Sequence, residues 1–243
     1  MNSKIQVLIL LVLLATSGIT SFGQTISGIK AGTYLQKIKT EVLLPGQAEK
    51  NIVKLFSSQG SIVAVTSNGV FRNSNGKWTG KASGANWRTA TLDSKGSVWL
   101  ASSQSFQKED EVTEIDLPES ARKDTILCML WEDEKTLDIG TTSGLLTYNG
   151  AWTAVPPASG KRVNSIVKDS GDQLWVATTD GLLRRMNGHW INMDDDLMAA
   201  GLKRKYFALE SRNEKKEILF GGLFTVGCIA ENGDNCGTTV MEW

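Results

Sequence analysis

The chain has 243 residues, zero formal net charge, 41% hydrophobic content, 24 Gly, 3 Cys, one His and eight Trp. The length is ample for a core without staples, three Cys are too few for a disulfide-built miniprotein, and the charge balance excludes the basic excess of a nucleic-acid binder. His189 would have to supply any His-based metal cage or Ser-His-Asp triad alone, and Trp outnumbering Tyr and Phe is the compositional outlier.

In chain order, the N-terminus reads as a secretory signal peptide over residues 1–23. Lys4 is the positive region, Ile5 to Ala15 is apolar save Gln6, and Ser21 and Gly23 are small where a signal peptidase reads. Cleavage is expected after Gly23, which removes one Lys and no acid and leaves a net charge of −1. The apolar run is too short for a bilayer core of about 30 Å, and nothing later looks transmembrane. The mature chain is therefore expected to be secreted or periplasmic, without a membrane span. Residues 24–50 form an N-terminal segment. Within it Tyr34 to Leu44 alternates, with Tyr34, Ile38, Val42 and Leu44 on one face and charged residues on the other. It suits a ring-closing edge strand.

From residue 51 the sequence repeats itself. The clearest unit runs from Val163 to Trp190, and its grammar recurs at Ile126–Trp152 and Ile52–Trp78, then more weakly from Arg88 and from Phe207. The position of Trp175 is held by Val63, Trp99, Asp138, Trp175 and Leu219, at steps of 36, 39, 37 and 44 residues. Each unit predicts four short strands. In the clearest one these are Val163–Lys168, Gln173–Thr178, Leu182–Met186 and a strand from His189-Trp190. They are separated by an Asp-Ser-Gly-Asp turn, a Thr-Asp-Gly turn and the hairpin signal Asn187-Gly188. Four-stranded units of this period predict an all-β fold, a β-propeller of about five repeats: 51–79, 87–117, 125–153, 163–193 and 207–243. Residues 103–114 read as a longer solvated hairpin. Residues 191–206 carry an insertion with room for a helix of one or two turns. Five units suffice for a small closed ring. The chain also stops on Trp243 at the fourth-strand position, and the reading leans to an incomplete or truncated ring.

The phrase from Asn164 to Arg184, with Asp169-Ser-Gly-Asp-Gln-Leu-Trp175 and Asp180-Gly181 at its centre, resembles the two-component regulator propeller repeat. The resemblance implies an extracytoplasmic propeller, as in the sensor part of hybrid sensor kinases and in secreted propeller proteins. It implies no single task, since fold does not fix function.

In such a fold the second-to-third and fourth-to-first strand connections gather at one mouth of the channel. The resemblance implies ligand binding there, by Asn68, Trp87, Arg88, Gln104, Arg162, Asp180 and Tyr206, with Ser143, Asn86, Lys161 and Lys205 beside them. An aromatic next to a cation can stack on a sugar or peptide and pair with its acid groups. Of the two Trp outside the repeat pattern, Trp87 and Trp131, Trp87 is the candidate ligand contact. Cys228 and Cys236 flank a predicted hairpin loop and are a disulfide candidate, the alternative being two separate thiols. Cys128 reads as a small buried hydrophobe. Asp194 to Asp196 does not match a Ca²⁺ loop, Lys203 to Lys205 reads as a solvated run, and His189 reads as structural. No metal or cofactor is called for, and no nucleophile elbow, phosphate loop or HExxH helix occurs. The expected function is a secreted or periplasmic binding or sensing module for a glycan, peptide or protein. The alternatives are a propeller-fold polysaccharide lyase or glycosidase, and a structural part of a secretion or surface assembly.

Overall fold

The structure is a computed structural model that describes residues 44–45, 51–193 except 59 and 113, and 205–240 except 224. The signal peptide, nearly all of the Tyr34–Leu44 segment, Asp194 to Arg204 and Trp243 lie outside the described residues. Among the described residues, twenty strands form five four-stranded antiparallel sheets. Blade 1 holds β1 (Ile52–Ser58), β2 (Ser61–Thr66), β3 (Gly69–Ser74) and β4 (Lys77–Ala82). Blade 2 holds β5 (Thr89–Leu92), β6 (Val98–Ala101), β7 (Ser105–Lys108) and β8 (Ile115–Asp116). Blade 3 holds β9 (Ile126–Trp131), β10 (Leu137–Thr141), β11 (Leu145–Tyr148) and β12 (Trp152–Ala154). Blade 4 holds β13 (Val163–Lys168), β14 (Leu174–Thr178), β15 (Gly181–Met186) and β16 (His189–Asn192). Blade 5 holds β17 (Tyr206–Arg212), β18 (Glu217–Gly222), β19 (Thr225–Ala230) and β20 (Asn235–Val240). In every blade the strands pair in sequence order, and the first strands follow one another around the axis, β1 touching β5, β5 touching β9, β9 touching β13 and β13 touching β17. The fold is an all-β propeller of five blades.

The turn chemistry explains the strand boundaries. Asn187 and Gly188 have φ of 51° and 78°, the paired positive values that a two-residue hairpin needs to match strand twist. The second strands alternate between two buried faces. Leu174 and Val176 pack toward blade 3 with Leu145, Val163 and Ile166, while Trp175 and Ala177 pack toward blade 5 with Tyr206, Leu209, Ile218 and Phe220. The same alternation puts Val98 and Leu100 against blade 1, and Trp99 and Ala101 against blade 3. The core is thus four apolar slabs between blades, each closed by residues of two consecutive repeats.

Charged side chains cross these junctions. Arg72 of β3 grips Glu109 beyond β7, Arg185 of β15 grips Glu132 beyond β9, and Arg184 of β15 reaches the Glu231 carbonyl beyond β19. Packing joins β1 to β5, β5 to β9, β9 to β13 and β13 to β17. Among the described residues, no comparable packing joins blade 5 to blade 1. Leu55 and Ile62 on blade 1 are each 48% exposed, and Val226 on blade 5 is 54% exposed.

Candidate functional site

Antiparallel order places the second-to-third and fourth-to-first connections at one end of the ring. A repeated device builds the first set. Thr66, Thr141 and Thr178 end their second strands fully buried. Each hydroxyl donates to the carbonyl of the Gly three residues on, at 3.2, 3.0 and 2.7 Å. Each also accepts the N–H two residues on, at 3.2 Å from Asn68, 3.2 Å from Ser143 and 3.0 Å from Asp180. This local side-chain-to-backbone bonding fixes the turn and turns residues 68, 143 and 180 toward the mouth. Ser102 performs the same task for Gln104. Backbone bonds then tie the two sets of loops together: Ser83 N–H to the Asn68 carbonyl at 2.7 Å, Arg88 N–H to the Ala101 carbonyl at 2.8 Å and Thr179 N–H to the Arg162 carbonyl at 3.0 Å.

Of the residues selected from sequence, Arg88, Gln104, Arg162 and Asp180 are exposed at this end and Asn68 is half-buried. Gln104 donates its amide N–H to the Arg122 carbonyl, and Arg162 donates Nε–H to Asn164 Oδ1 at 3.0 Å. Trp87 and Tyr206 are placed differently. Trp87 is 6% exposed in the slab between blades 1 and 2, with its indole N–H on Ser83 Oγ at 3.0 Å. Tyr206 is 1% exposed, its ring edge-on to Phe220 at 5.6 Å, and its carbonyl accepts Asn164 Nδ2–H at 2.7 Å. Neither ring presents a face to solvent, because an aromatic ring next to an apolar slab gains more by burial than by exposure. Trp131, the other Trp outside the pattern, packs on Trp99 at 4.9 Å.

Sequence reading passed over two cations at the mouth, Arg122 and Lys123, both exposed. Their signal was their place in the connection between blades 2 and 3. Arg122 pairs with Glu119 at 2.9 Å. Among the described residues, no ion pair holds Arg88, Lys123, Lys161, Arg162 or Lys205. The mouth therefore gathers these cations beside two carboxylates, Asp180 and Asp124, the latter accepting the Ser143 and Thr142 hydroxyls.

The other end of the ring is formed by the first-to-second and third-to-fourth strand turns. A shallow open depression of about 410 Å³ there is lined by Asp133, Glu134, Lys135, Thr136 and Asn149. His189 starts the outermost strand β16 at this same end, exposed. Cys228 and Cys236 are joined by a disulfide across β19 and β20. Glu217 lies beside both sulfurs, which as a disulfide are not thiolate ligands. Cys128 is half-buried on β9, and burial pushes its thiol up to about 12.

The comparisons speak to the fold. No family model and no curated protein matches the chain. Among solved structures, virginiamycin B lyase from Staphylococcus aureus is 16% identical, with a TM-score of 0.60 over 84% of this chain and 74% of that one. A catalytically inactive His-to-Ala variant of that lyase with quinupristin is 17% identical, with a TM-score of 0.60 over 83% of this chain and 73% of that one. The extracellular domain of a hybrid two component system from B. thetaiotaomicron is 16% identical, with a TM-score of 0.57 over 81% of this chain. The chain spans 29% of the length of that extracellular domain. These likenesses establish the propeller, and they include extracellular domains of hybrid two component systems. No helix among the described residues is long and apolar enough to cross a membrane.

Proposed function

We propose that the protein is an extracytoplasmic binding or sensing module whose channel mouth recognises an acidic carbohydrate. The observation that carries this is the set of unpaired cations on the rigid loops of one end, Arg88, Lys123, Lys161 and Arg162, beside the amide groups of Asn68 and Gln104. Cations and amides on fixed loops match carboxylates and hydroxyls of a uronic-acid or sulfated sugar. The signal-like N-terminus and the extracellular domains among the structural neighbours support the location.

The lyase neighbours favour a second reading, an enzyme of the elimination type. Against it stands His189, the single imidazole of the chain, which sits on an outermost strand at the end opposite the cationic mouth.

A glycan panel read by calorimetry with the full chain tests the proposal. Acidic glycans are expected to bind, with affinity falling steeply as salt rises. Arg88→Gln and Lys123→Gln should each weaken binding severalfold, and Lys135→Gln at the opposite end should not. Equal or absent responses to acidic and neutral glycans would overturn it. Accumulation of unsaturated product from a bound polysaccharide would establish the lyase instead.

A further inference from the structure

The first-to-second strand turns share one backbone bond. The N–H of Asp93, Glu132 and Asp169 donates to the carbonyl four residues on, at 3.0, 2.8 and 3.0 Å. These three residues are therefore equivalent, and the residue six further along each repeat is Trp99, Asp138 and Trp175. In blade 2 the Trp99 indole N–H donates to Asp93 Oδ2 at 3.1 Å, and in blade 4 the Trp175 indole N–H donates to Asp169 Oδ2 at 2.8 Å. Blade 3 replaces this acceptor–donor pair with two carboxyl groups, Glu132 and Asp138.

Asp138 is fully buried on β10. Its Oδ1 accepts the Thr147 hydroxyl at 2.7 Å, its Oδ2 has no donor among the described groups, and the Glu132 carboxylate is its neighbour. The charged groups around it are few. Arg185 of β15 grips both Glu132 oxygens. Lys168 of β13 donates to the Glu132 backbone carbonyl at 2.7 Å and pairs with Asp172 at 3.0 Å. Asp133 faces the same turn and is held ionised by the backbone N–H of Lys135. Cys128 of β9 is the remaining titratable neighbour and stays a thiol. One guanidinium thus faces a buried and a half-buried carboxyl, and two carboxylates side by side cannot both stay ionised there. Asp133, not Glu132, accepts the turn N–H groups of Lys135 and Thr136 at 2.7 and 2.8 Å, which leaves the Glu132 side chain for its neighbour.

We propose that Asp138 and Glu132 share one proton, and that this proton replaces the tryptophan N–H as the donor closing the β9–β10 turn of blade 3, the turn from which Glu132 meets Arg185 of blade 4. This turn is thereby a pH-sensitive joint, strongest in acid, where its equivalents in blades 2 and 4 have no titratable donor.

Burial, followed by the neighbouring Glu132, raises the Asp138 carboxyl to about 8. Partial burial raises Glu132 too, yet Arg185 holds it below the usual carboxylate range. The native state therefore keeps a proton that the unfolded chain releases near the ordinary Asp value of about 4. The joint's contribution is fully present below that value and is lost as pH rises to about 8.

The test compares denaturant unfolding of the wild type and Asp138→Asn across this range. The amide donates to Glu132 without titrating. The wild-type folding constant should fall relative to the variant by up to about tenfold per pH unit, then level off. Carboxyl carbon NMR of the wild-type chain gives a second readout that needs no variant: one Asp signal should titrate far above the others. Parallel pH profiles, or Asp signals that all titrate in the ordinary range, would overturn the proposal.

Discussion

Trp175 shows how much one residue of this repeat supports. It is fully buried between blades 4 and 5, donates to Asp169, and lies under the Arg184 guanidinium at 4.5 Å. Trp175→Ala should cost about 3–5 kcal/mol of stability through cavity formation, and it also leaves the Asp169 carboxylate without its indole donor. Trp99→Ala should cost less, because Trp99 is only half-buried. Equilibrium unfolding of the two variants measures the order, and a smaller loss at residue 175 would contradict the packing described. At this scale the sequence was partly readable. The assignment of Trp to fixed repeat positions anticipated interblade packing, since large apolar groups at a constant register must meet the same neighbour in each blade. The direction in which Trp87 and Tyr206 point was not readable, because loop composition does not say which face of a ring meets the slab. Asp138 stood in plain view at a Trp position, but a carboxylate there reads as repeat decay until its partner six residues earlier is known.

At the scale of elements, the turns carry the specification, and two glycines test it in opposite ways. Gly188 occupies a positive-φ hairpin position where an added Cβ meets no atom within 4 Å. Gly188→Ala should therefore cost only the backbone term, about 1 kcal/mol. Gly140 lies inside β10, where an added Cβ would sit 2.4 Å from Cys128 Sγ and 2.5 Å from Val163 Cγ1. Gly140→Ala should cost more, up to about 3 kcal/mol, because the slab between blades 3 and 4 must open to admit it. Thermal unfolding of both variants decides this, and equal losses would mean that the slab yields easily. The blade pattern was legible because Asn-Gly, Thr-Asp-Gly and Asp-Ser-Gly-Asp are local signals whose φ demands few residues meet. The requirement for Gly140 was not, because it comes from Val163, a residue of the next blade.

At the scale of the whole molecule, stability should be distributed along the ring as in other repeat architectures, where each unit leans on its neighbours. Blades 2, 3 and 4 are each covered on both faces, whereas Leu55 and Ile62 of blade 1 and Val226 of blade 5 remain exposed. Local opening draws on the regions with the fewest buried apolar contacts. Native-state hydrogen exchange should therefore find the slowest amides in β10 and β14, whose residues are buried throughout. The first strand of blade 1 should exchange faster than its counterparts β9 and β13, although all three are innermost strands with equivalent hydrogen bonding to their second strands. That contrast isolates interblade packing from strand pairing. If β1 is as protected as β9 and β13, then the back face of blade 1 is covered in solution and the ring is closed. If it opens early while β9 and β13 hold, then the five blades behave as an arc whose two terminal faces are its least stable surfaces.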